Sequence, residues 1–445
     1  MREKITPNDL RAYFIIYGWG VGTYINNLGA FQYGGTIMPS ASVTQLPISV
    51  HANRSYVFAY YGGKLYDIEL SADVVRIVNV SDRSSQEVST GIANYLHRAT
   101  RICDIKFLTN STIVVRLVFL RTGTLVVARY EIDLSSKTVT VTEESTYDLD
   151  WISASEEIYH SAVIPPYLWL APNKEDSYLH YVNLDDGTDV SFDTGLGGYF
   201  ARPSTKYVAL NDDIYMLLGK HLAGDPVYYL KLYNKTVSST GVSAGDGSPR
   251  VQIGSITLFY NDVIFPCGWG GVAGSDNDIA LFDHRMNHLG TMDLSALTGW
   301  NDVDTVPGFT ILAKKTDGNY YALLAVRHST GAPSQEGRLY WLEIQRDGSV
   351  VSSSLLHSFA TESYFAMQIK PEESDRTAVP CVDLANKKIY AIAWDVEGGV
   401  DKGWLVEIDV SDVWNNIAEW NRALWFLRGA LVKIPTSLTL SITPL

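Results

Sequence analysis

The chain has 445 residues, of which 19% are charged and 46% are hydrophobic, and its formal net charge is −14 at pH 7. This acidic balance excludes a broad electrostatic contact with nucleic acid, which needs a basic face to displace counterions. The aromatic share of 12% includes 27 tyrosines, and tyrosine and β-branched residues are enriched in half-buried strands. The composition therefore predicts an all-β protein.

The first segment, residues 1–44, differs from the rest of the chain. The sequence TPND at 6–9 predicts the start of a helix, with Thr6 as the N-cap and Pro7 at the first helical position. The segment lacks the apolar core and small-residue cleavage site of a secretory signal. Gly, Asn, Gln, Ser and Pro interrupt the uncharged stretch 12–50, and a membrane span would bury these polar groups. We predict an N-terminal extension without a membrane span, and we leave the compartment open between the cytoplasm and a virion.

One short phrase recurs along the chain: an alternating strand, a polar turn and a second strand. It is clearest as RYEIDLSSKTVTV at 129–141 and returns as WLVEIDVSDV at 404–413 and LYDIELSADVV at 65–75. The equivalent apolar position recurs every 50–64 residues, at Ile68, Ile132, Val182, Leu232, Phe282, Ile344 and Ile408. A period in this range is typical of an array of supersecondary units.

A second series of turns precedes these positions in the same order. Its members are HANR at 51–54, TNST at 109–112, IPPY at 164–167, NDD at 211–213, YND at 260–262, KTDGN at 315–319 and ANKK at 385–388. Asn, Asp, Gly and Pro accept tight-turn dihedrals that β-branched residues resist. Each unit is therefore predicted to have four antiparallel strands, A to D, with short A–B and C–D turns.

Seven such units resemble a seven-bladed β-propeller over about residues 45–415. A lone four-stranded sheet leaves two apolar faces and two unpaired edges, and radial packing covers the faces against neighbouring sheets. An eight-bladed ring, with the last blade built from the two termini, is the alternative. The chain lacks the repeat signatures of WD, kelch and pyrroloquinoline-quinone propellers, so the resemblance is to the architecture and not to one family.

The C-terminal segment, residues 416–445, is predicted to hold a helix and a closing strand. Apolar residues spaced by three and four from Val413 to Leu431 are typical of an amphipathic helix, with Asp412 as its cap and Pro435 at its end. The alternating TSLTLSI at 436–442 is predicted to latch into a terminal blade. The helix either docks on the propeller itself or forms an interface with a protein partner or a second copy. The predicted interface residues are Trp414, Ile417, Trp420, Leu424, Leu427 and Leu431.

The B–C loops predict a binding surface, because in this strand order the B–C and D–A loops share one face. Those of the first two units are short, YGGK at 61–64 and RTG at 121–123. Later ones are long: GKHLAGDP at 219–226, CGWGGVAGSDND at 267–278, RHSTGAPSQEGR at 327–338 and DVEGGVDKG at 395–403. A hairpin does not need this length, and long loops commonly serve binding.

The loop CGWGGVAGSDND contains the residues best suited to a ligand. Trp269 could stack on a sugar ring, and Asp276 and Asp278 could accept hydrogen bonds from sugar hydroxyls or bind a hard cation. The full predicted ligand-binding set is Trp269, Asp276, Asp278, His328, Glu336 and Asp395. The alternative is that these are solvated loop residues. Paired carboxylates at the ring mouth would suit glycoside hydrolysis, but their separation does not follow from the sequence.

Other motifs are absent or weak. His284 and His288 straddle a predicted hairpin and are interpreted as turn residues, and Cys103, Cys267 and Cys381 are too few and too far apart for a disulfide framework or a zinc site. No nucleophile, Rossmann or metalloprotease motif occurs. We therefore expect no catalytic residues, no cofactor and no metal.

The predicted function is a non-catalytic binding or assembly scaffold within a larger complex, such as a virion or a surface appendage. Its partners would be proteins or further copies of itself, reached through the loops and termini. The alternative is a carbohydrate-binding or glycan-active propeller that uses the long loops.

Overall fold

The computed structural model describes most of the chain between Met38 and Pro444. The described residues are 38–47, 56–69, 74–90, 101–121, 124–149, 160–164, 167–171, 178–196, 202–210, 213–219, 226–231, 235–243, 248–250, 257–260, 262–270, 278–299, 308–328, 336–359, 363–365, 380–397, 400–421, 430–434 and 441–444. The predicted helix start at Thr6 and the predicted turn at 51–54 lie outside them.

Strands dominate these residues and form seven sheets, which we number in chain order. Sheet 1 contains β2 Tyr56–Tyr61, β3 Lys64–Glu69, β4 Val74–Asn79 and β5 Ser85–Ser89. Sheet 2 contains β6 Arg101–Phe107, β7 Thr112–Arg121, β8 Thr124–Asp133 and β9 Thr138–Tyr147. Sheet 3 contains β10 His160–Ile164, β11 Tyr167–Ala171, β12 Tyr178–Asn183 and β13 Asp189–Asp193. Sheet 4 contains β14 Arg202–Leu210, β15 Asp213–Gly219, β16 Pro226–Lys231 and β17 Thr236–Ser243, joined by β32 Ala430–Ile434 and β33 Ser441–Pro444.

The remaining sheets are less regular. Sheet 5 contains β18 Ser248–Arg250, β19 Thr257–Phe259, β20 Asp262–Gly270, β21 Ile279–Asp283 and β22 His288–Met292. A short helix, α1 Leu294–Thr298, follows it and is capped by Asp293. Sheet 6 contains β23 Gly308–Lys315, β24 Tyr320–His328, β25 Glu336–Ile344 and β26 Val350–Phe359, joined by β31 Ile417–Trp420. Sheet 7 contains β27 Ser363–Phe365, β28 Cys381–Asp383, β29 Lys388–Glu397, β30 Val400–Asp409 and the N-terminal β1 Ser40–Gln45.

The sheets follow one another around a ring, as in a β-propeller. β10 of sheet 3 contacts β6 of sheet 2 and β14 of sheet 4, β15 contacts β18, β19 contacts β23, and β24 and β25 contact β27. Sheets 1 and 2 share a core, and β2 of sheet 1 contacts β28 of sheet 7, so that the ring closes. First strands therefore lie innermost. Last strands such as β9 and β13 lie outermost: most residues of β9 are exposed, and no residue of β13 is buried.

The number of regular blades differs from the prediction. Five sheets (1, 2, 3, 4 and 6) contain an uninterrupted run of four strands that are consecutive in the chain. In sheet 5 the innermost strand is split into β18 and β19; in sheet 7 it is split into β27 and β28, and the outermost strand comes from the other end of the chain. The expectation of a seven-bladed propeller is therefore wrong, and five blades are regular. The alternative of eight is also wrong, because the strands of the described residues form no eighth sheet.

Sheet 2 shows why alternating residues form this fold. Ile113, Val115, Leu117 and Phe119 of β7 are fully buried and pack against Tyr66 and the rest of the sheet 1 core. Val118 and Leu120 point to the opposite face and pack with Leu168 of sheet 3. Successive strand residues face opposite sides of a sheet, so one strand supplies apolar side chains to two interfaces. Removing such a buried aliphatic side chain typically costs about 2–5 kcal/mol.

The first predicted unit is shifted by one strand. The sequence YGGK at 61–64, predicted to be a B–C loop, connects the first two strands of sheet 1 and is therefore its A–B turn. Gly62 has φ +56°, and a Cβ there would lie 2.0 Å from Oδ1 of Asn110, which lies in the A–B turn of sheet 2. The strand that would have preceded residue 51 in this unit is instead β1, which pairs with β30 and completes sheet 7.

The predicted C-terminal helix is wrong. Residues Trp414–Asn416 form one turn of 3-10 helix without a side-chain cap, which also excludes Asp412 as a helix cap. Ile417 and Trp420 lie in β31, which pairs antiparallel with β23. The innermost strand of sheet 6 presents unpaired backbone groups on its inner edge, and strand pairing satisfies them, whereas a helix would not. Leu424 and Leu427 lie outside the described residues, and Leu431 lies in β32.

The predicted latch strand also has a different partner. Ser441 and Ile442, the part of it that is described, belong to β33, which pairs with β32; β32 in turn pairs parallel with β14. The C-terminal strands therefore extend the inner edge of sheet 4 and do not complete a terminal blade. Among the helices of the described residues, none is long and apolar enough to cross a membrane.

Candidate functional site

Hydrogen bonds between sheets place five A–B turns on one face of the ring, which we call the A–B face. Tyr66 Oη donates to the carbonyl oxygen of Asn110 at 2.7 Å and links sheets 1 and 2. Tyr60 Oη donates to Asp383 Oδ2 at 2.8 Å and links sheets 1 and 7. Tyr320 Oη donates to Asp262 Oδ2 at 2.7 Å and links sheets 6 and 5. The segment after sheet 7 links sheets 7 and 6: Val410 donates its backbone N–H to Lys387 O at 3.0 Å, and Asn416 O accepts the N–H of Thr316 at 2.9 Å. The A–B face therefore runs across sheets 5, 6, 7, 1 and 2, which are consecutive around the ring.

Asp383 organises the A–B turn of sheet 7. Its carboxylate accepts hydrogen bonds from Tyr60, from the backbone N–H groups of Ala385 and Asn386, and from Asn386 Nδ2 at 2.7 Å. Burial by itself would raise the pKa of Asp383, but the hydrogen bonds from Asn386 and Tyr60 outweigh it, and the pKa lies below its ordinary value. Burial, and then the bond to this carboxylate, raises the pKa of Tyr60. The Asp383 carboxylate is therefore charged in the folded protein at neutral pH.

Asp383→Asn is expected to lower the free energy of unfolding by about 1–3 kcal/mol at pH 7, because the amide cannot accept all four bonds. The folded pKa is lowered, so the stabilisation is present above the ordinary aspartate pKa of about 3.9 and is lost as pH falls through the lower folded value. Urea unfolding at several pH values should show a constant difference from the wild type above about pH 5 and a shrinking one below about pH 4. Asp412→Asn, at an exposed turn position, is the control; a difference for Asp383→Asn that persists unchanged at pH 3 would contradict the assignment.

A second carboxylate, Asp262, joins sheets 5 and 6. It is 7% exposed, and Arg346 binds both of its oxygens, with Nη2 at 2.8 Å from Oδ1 and Nε at 3.0 Å from Oδ2. Tyr320, which is 1% exposed, donates to the same carboxylate. Burial and the bond to Asp262 raise the pKa of Tyr320. Asp262 and Tyr320, the two buried groups, are therefore hydrogen-bonded, as buried polar groups must be, and the more exposed Arg346 completes the cluster.

The chain crosses the A–B face after leaving sheet 7. Val410 and Val413 are fully buried, and the carbonyl oxygen of Asn416 accepts the backbone N–H of Thr316 at 2.9 Å. Asn421, also fully buried, donates its backbone N–H to Leu312 O at 2.8 Å and its Nδ2 to Ile311 O at 2.7 Å. These bonds attach the segment 410–421 to the inner strand of sheet 6.

This segment presents two tryptophans to the face. The rings of Trp414 and Trp420 are 5.5 Å apart in a tilted arrangement, and both are partly exposed. Lys387 Nζ, from the A–B turn of sheet 7, lies 5.6 Å from the Trp414 ring, within the range of a cation–π contact. Glu419 accepts the backbone N–H of Tyr260 at 2.8 Å and so connects the pair to the A–B turn of sheet 5. The two tryptophans, both among the predicted interface residues, lie together on this face.

Exposed apolar side chains extend this cluster in both directions. Nine large apolar side chains of the described residues are exposed, and four stand at A–B turns: Tyr260 (48%), Leu384 (42%), Tyr61 (37%) and Leu108 (45%). Tyr61 stacks on Phe107, the neighbour of Leu108, with ring centroids 5.2 Å apart. We call the series Tyr260, Trp420, Trp414, Leu384, Tyr61 and Leu108 the apolar arc. It spans sheets 5, 6, 7, 1 and 2 in order.

The predicted ligand-binding set lies at the opposite end of the strands. Trp269, His328, Glu336 and Asp395 lie in β20, β24, β25 and β29 near the B–C connections, and Asp278 directly precedes β21. His328 pairs with Glu336, and Asp395 pairs with Ser363 and Lys402. Asp276 lies outside the described residues. Backbone register therefore brings five members to the same end of sheets 5, 6 and 7, and their role as a ligand site stays a prediction.

Two further expectations concern metals and thiols. Within the described part of the chain, no three His, Cys, Asp or Glu side chains lie close enough together to hold a metal ion. Cys267 and Cys381 are buried, and burial raises the pKa of the Cys381 thiol. His284 and His288 flank the β21–β22 turn, as predicted, and His288 Nε2 lies 3.0 Å from Thr291 Oγ1. Burial lowers the pKa of His284.

The apolar arc was missed because the sequence interpretation favoured long loops. Its signal is an apolar residue at a tight turn: Leu108 before TNST, Tyr260 in YND and Leu384 before ANKK. Turn residues are usually polar. One such residue is unremarkable on its own, and only the closed ring shows that four of them share a face.

Comparisons with known proteins identify no family for this chain. No family model matches the chain, and no curated protein matches it. Among solved structures, U3-55K is 10% identical, with 83% of this chain and 99% of that one covered at a TM-score of 0.43. Luciferin-regenerating enzyme is 11% identical, and the match covers 83% of this chain and 95% of that one at a TM-score of 0.35. A quinonprotein alcohol dehydrogenase-like protein from Bacteroides thetaiotaomicron is 14% identical, and the match covers 69% of this chain and 68% of that one at a TM-score of 0.32. These proteins differ in function, and such low similarity assigns none of their activities to this chain.

Proposed function

We propose that this protein is a non-catalytic binding and assembly protein that holds a protein partner on its A–B face. The observation that carries the proposal is the apolar arc. It places exposed or half-exposed Tyr, Trp and Leu side chains on one face of five consecutive sheets, and isolated surface apolar residues would not share one face. The proposed complex is a larger structural assembly, such as a virion or surface appendage.

The chemistry of the arc favours a protein partner. Binding energy at protein interfaces concentrates in a few aromatic anchors, with tryptophan and tyrosine enriched, and the arc contains two of each. Lys387 lies over Trp414. The complementary surface would therefore offer aliphatic or aromatic side chains to the arc and a carboxylate to the lysine.

The supporting structure is suited to rigid binding. Tyr60–Asp383 and Asp262–Tyr320–Arg346 hold adjacent turns on the face, and the segment 410–421 is hydrogen-bonded to sheet 6. Side chains held in place before binding lose little conformational entropy when a partner docks. The same bonds that close the ring therefore preorganise the binding surface.

The double variant Tyr260→Ser and Leu384→Ser tests this proposal. Both side chains are exposed, so the variant should fold normally. The amount of bound partner should fall at least about tenfold, as expected when interface anchors are removed. The measurement is affinity purification of the tagged chain from its natural source, with bound proteins quantified by mass spectrometry. Thermal unfolding confirms that the fold is intact.

A matched control uses one tyrosine and one aliphatic residue exposed elsewhere, Tyr178→Ser with Val141→Ser. This variant should retain the partner at wild-type amounts. A partner that binds both variants equally, or a wild-type chain that purifies without any stoichiometric partner, contradicts the proposal.

A second candidate function is glycan binding at the B–C end of sheets 5, 6 and 7. The supporting observation is the shared position of Trp269, Asp278, His328, Glu336 and Asp395 at that end. A glycan array probed with the wild type and with Trp269→Ala tests it. If the wild type binds a glycan and Trp269→Ala does not, a sugar site is supported. If the wild type binds nothing across a broad panel, the glycan-binding hypothesis is wrong.

A further inference from the structure

Three of the remaining exposed apolar side chains lie on one strand, β26. They are Val350, Val351 and Leu355. β26 is the outermost strand of sheet 6 and pairs with β25 on its inner side. Its outward edge thus presents backbone N–H and C=O groups that can accept another strand.

The sequence of β26 is symmetric in chemistry about Ser353. Residues 350–356 read VVSSSLL: two apolar residues, three serines and two apolar residues. When two identical strands pair antiparallel about a two-fold axis through Ser353, each residue faces its mirror position in the other copy. Val351 then faces Leu355 of the second copy, Ser352 faces Ser354, and Ser353 faces itself.

This register also agrees with the alternating exposure of side chains along the strand. Val351, Ser353 and Leu355 are exposed, and Ser352 and Ser354 are less so. A two-fold axis perpendicular to the sheet keeps each face on its own side, so exposed residues meet exposed residues. The Val351–Leu355 contact would form twice in each pair of copies, and cross-strand apolar pairs stabilise a sheet. Register shifts place bulges at Val351 and Leu356, and Ser352 to Leu355 pair regularly with β25.

Like β17, β26 is an outer strand without charged residues, and it differs in this from β9. Its ten residues contain no Asp, Glu, Lys or Arg, whereas β9, also ten residues long, contains Glu143 and Glu144. Charged side chains on an edge strand oppose pairing with another chain. Two copies of a chain with a net charge of −14 would meet with least repulsion at an uncharged edge. β1, the outermost strand of the neighbouring sheet 7, contacts β26 and is also uncharged.

We infer that β26 is a self-association edge: two copies of the chain pair their β26 strands antiparallel about Ser353 and join two sheets 6 into one continuous sheet. The occupant of the edge is a second copy, because the strand is complementary to itself in the two-fold register. This edge lies on the outer rim of the ring and does not use the apolar arc, so it stands independently of the proposed function.

The first test is the double variant Val351→Lys and Leu355→Lys. Both positions are exposed, and four lysines would meet across the two-fold axis. The wild type at roughly 100 µM, a concentration suited to a small interface, should sediment as a dimer, and the variant as a monomer with an unchanged thermal midpoint. The control, Val141→Lys with Thr146→Lys on the exposed positions of β9, should remain a dimer. A monomeric wild type, or a dimer that the β26 variant retains, would overturn the inference.

The second test reads the register directly. Ser353→Cys places two thiols opposite each other at the axis, where antiparallel Cα atoms are about 4.5–5.5 Å apart, within disulfide range. Mild oxidation should link most of the protein into a covalent dimer. Ser358→Cys, exposed on the same strand, faces position 348 of the second copy and should link only at background level. Equal crosslinking of the two variants, or none of either, would overturn the proposed register even if the lysine variant were misfolded.

Discussion

Gly290→Ala is expected to destabilise the protein by about 3 kcal/mol or more, at the upper end of the range for overpacked sites. A Cβ at Gly290 on β22 would lie 2.1 Å from the carbonyl oxygen of Asp347 and 2.9 Å from its carbonyl carbon. These are backbone atoms of the β25–β26 turn, so the collision can be relieved only by moving sheet 6 away from sheet 5. A Cβ at Gly348, in the same turn, would lie 3.3 Å from Leu281 Cδ1 and 3.6 Å from Met292 N. The whole turn therefore lies close to sheet 5, and that movement would open the interface between the two sheets.

Guanidinium unfolding of Gly290→Ala and Gly318→Ala measures this effect. Gly318 has φ +94°, and a Cβ there would have no atom within 4 Å, so alanine at this position adds backbone strain without a collision. The strain should cost about 1–2 kcal/mol. A loss of stability in Gly290→Ala no larger than in Gly318→Ala would show that the sheets do not approach as closely as described.

Asp262→Ala is expected to cost about 2–4 kcal/mol. It leaves the buried Tyr320 hydroxyl without its acceptor and removes the paired carboxylate from Arg346. Arg346 is partly exposed, 43% by side chain, so water compensates part of its loss, and the buried tyrosine carries most of the effect. Urea unfolding at pH 7 provides the measurement.

A double-mutant cycle isolates this interaction. Tyr320→Phe should cost about 1 kcal/mol, the usual net value of one hydrogen bond. Asp262→Ala combined with Tyr320→Phe should cost less than the two changes added, because the phenylalanine leaves no hydroxyl to satisfy. Strict additivity would mean that Tyr320 and Asp262 do not interact in solution. Since these residues join sheets 5 and 6 beneath Tyr260, the same cycle also measures how firmly that end of the apolar arc is held.

Some of the fold could be predicted from local sequence alone. The recurring phrase at 129–141 identified the β8–β9 hairpin, and turns such as RTG at 121–123 and ANKK at 385–388 occur where a strand ends and the next begins. Hairpins depend on contacts between near neighbours, and turn chemistry is written in two to five residues. The propeller-like ring followed from the number of such hairpins and from their apolar faces.

Predictions that depended on distant contacts were less successful. The spacing from Val413 to Leu431 includes Val413, which is buried, and Ile417 and Trp420, which are partly buried, but the inner edge of β23 made the segment from Ile417 to Trp420 a strand. Periodicity reports which side chains avoid water, and a helix and an irregular segment beside a sheet edge can satisfy the same spacing. Strand pairing to a partner about 100 residues earlier in the chain leaves no local signal.

By itself, the sequence determined that this chain is built of alternating strands joined by tight turns, because strand burial and turn dihedrals depend on residues that are neighbours in the chain. Tertiary structure alone decided how those strands are shared among sheets: β1 completes sheet 7 at the far end of the chain, and β31 to β33 extend the inner edges of sheets 6 and 4. It also decided which turns share a face, and hence that Tyr260, Leu384, Tyr61 and Leu108 form one surface. The physical reason is that ring closure brings together edges and turns that are hundreds of residues apart.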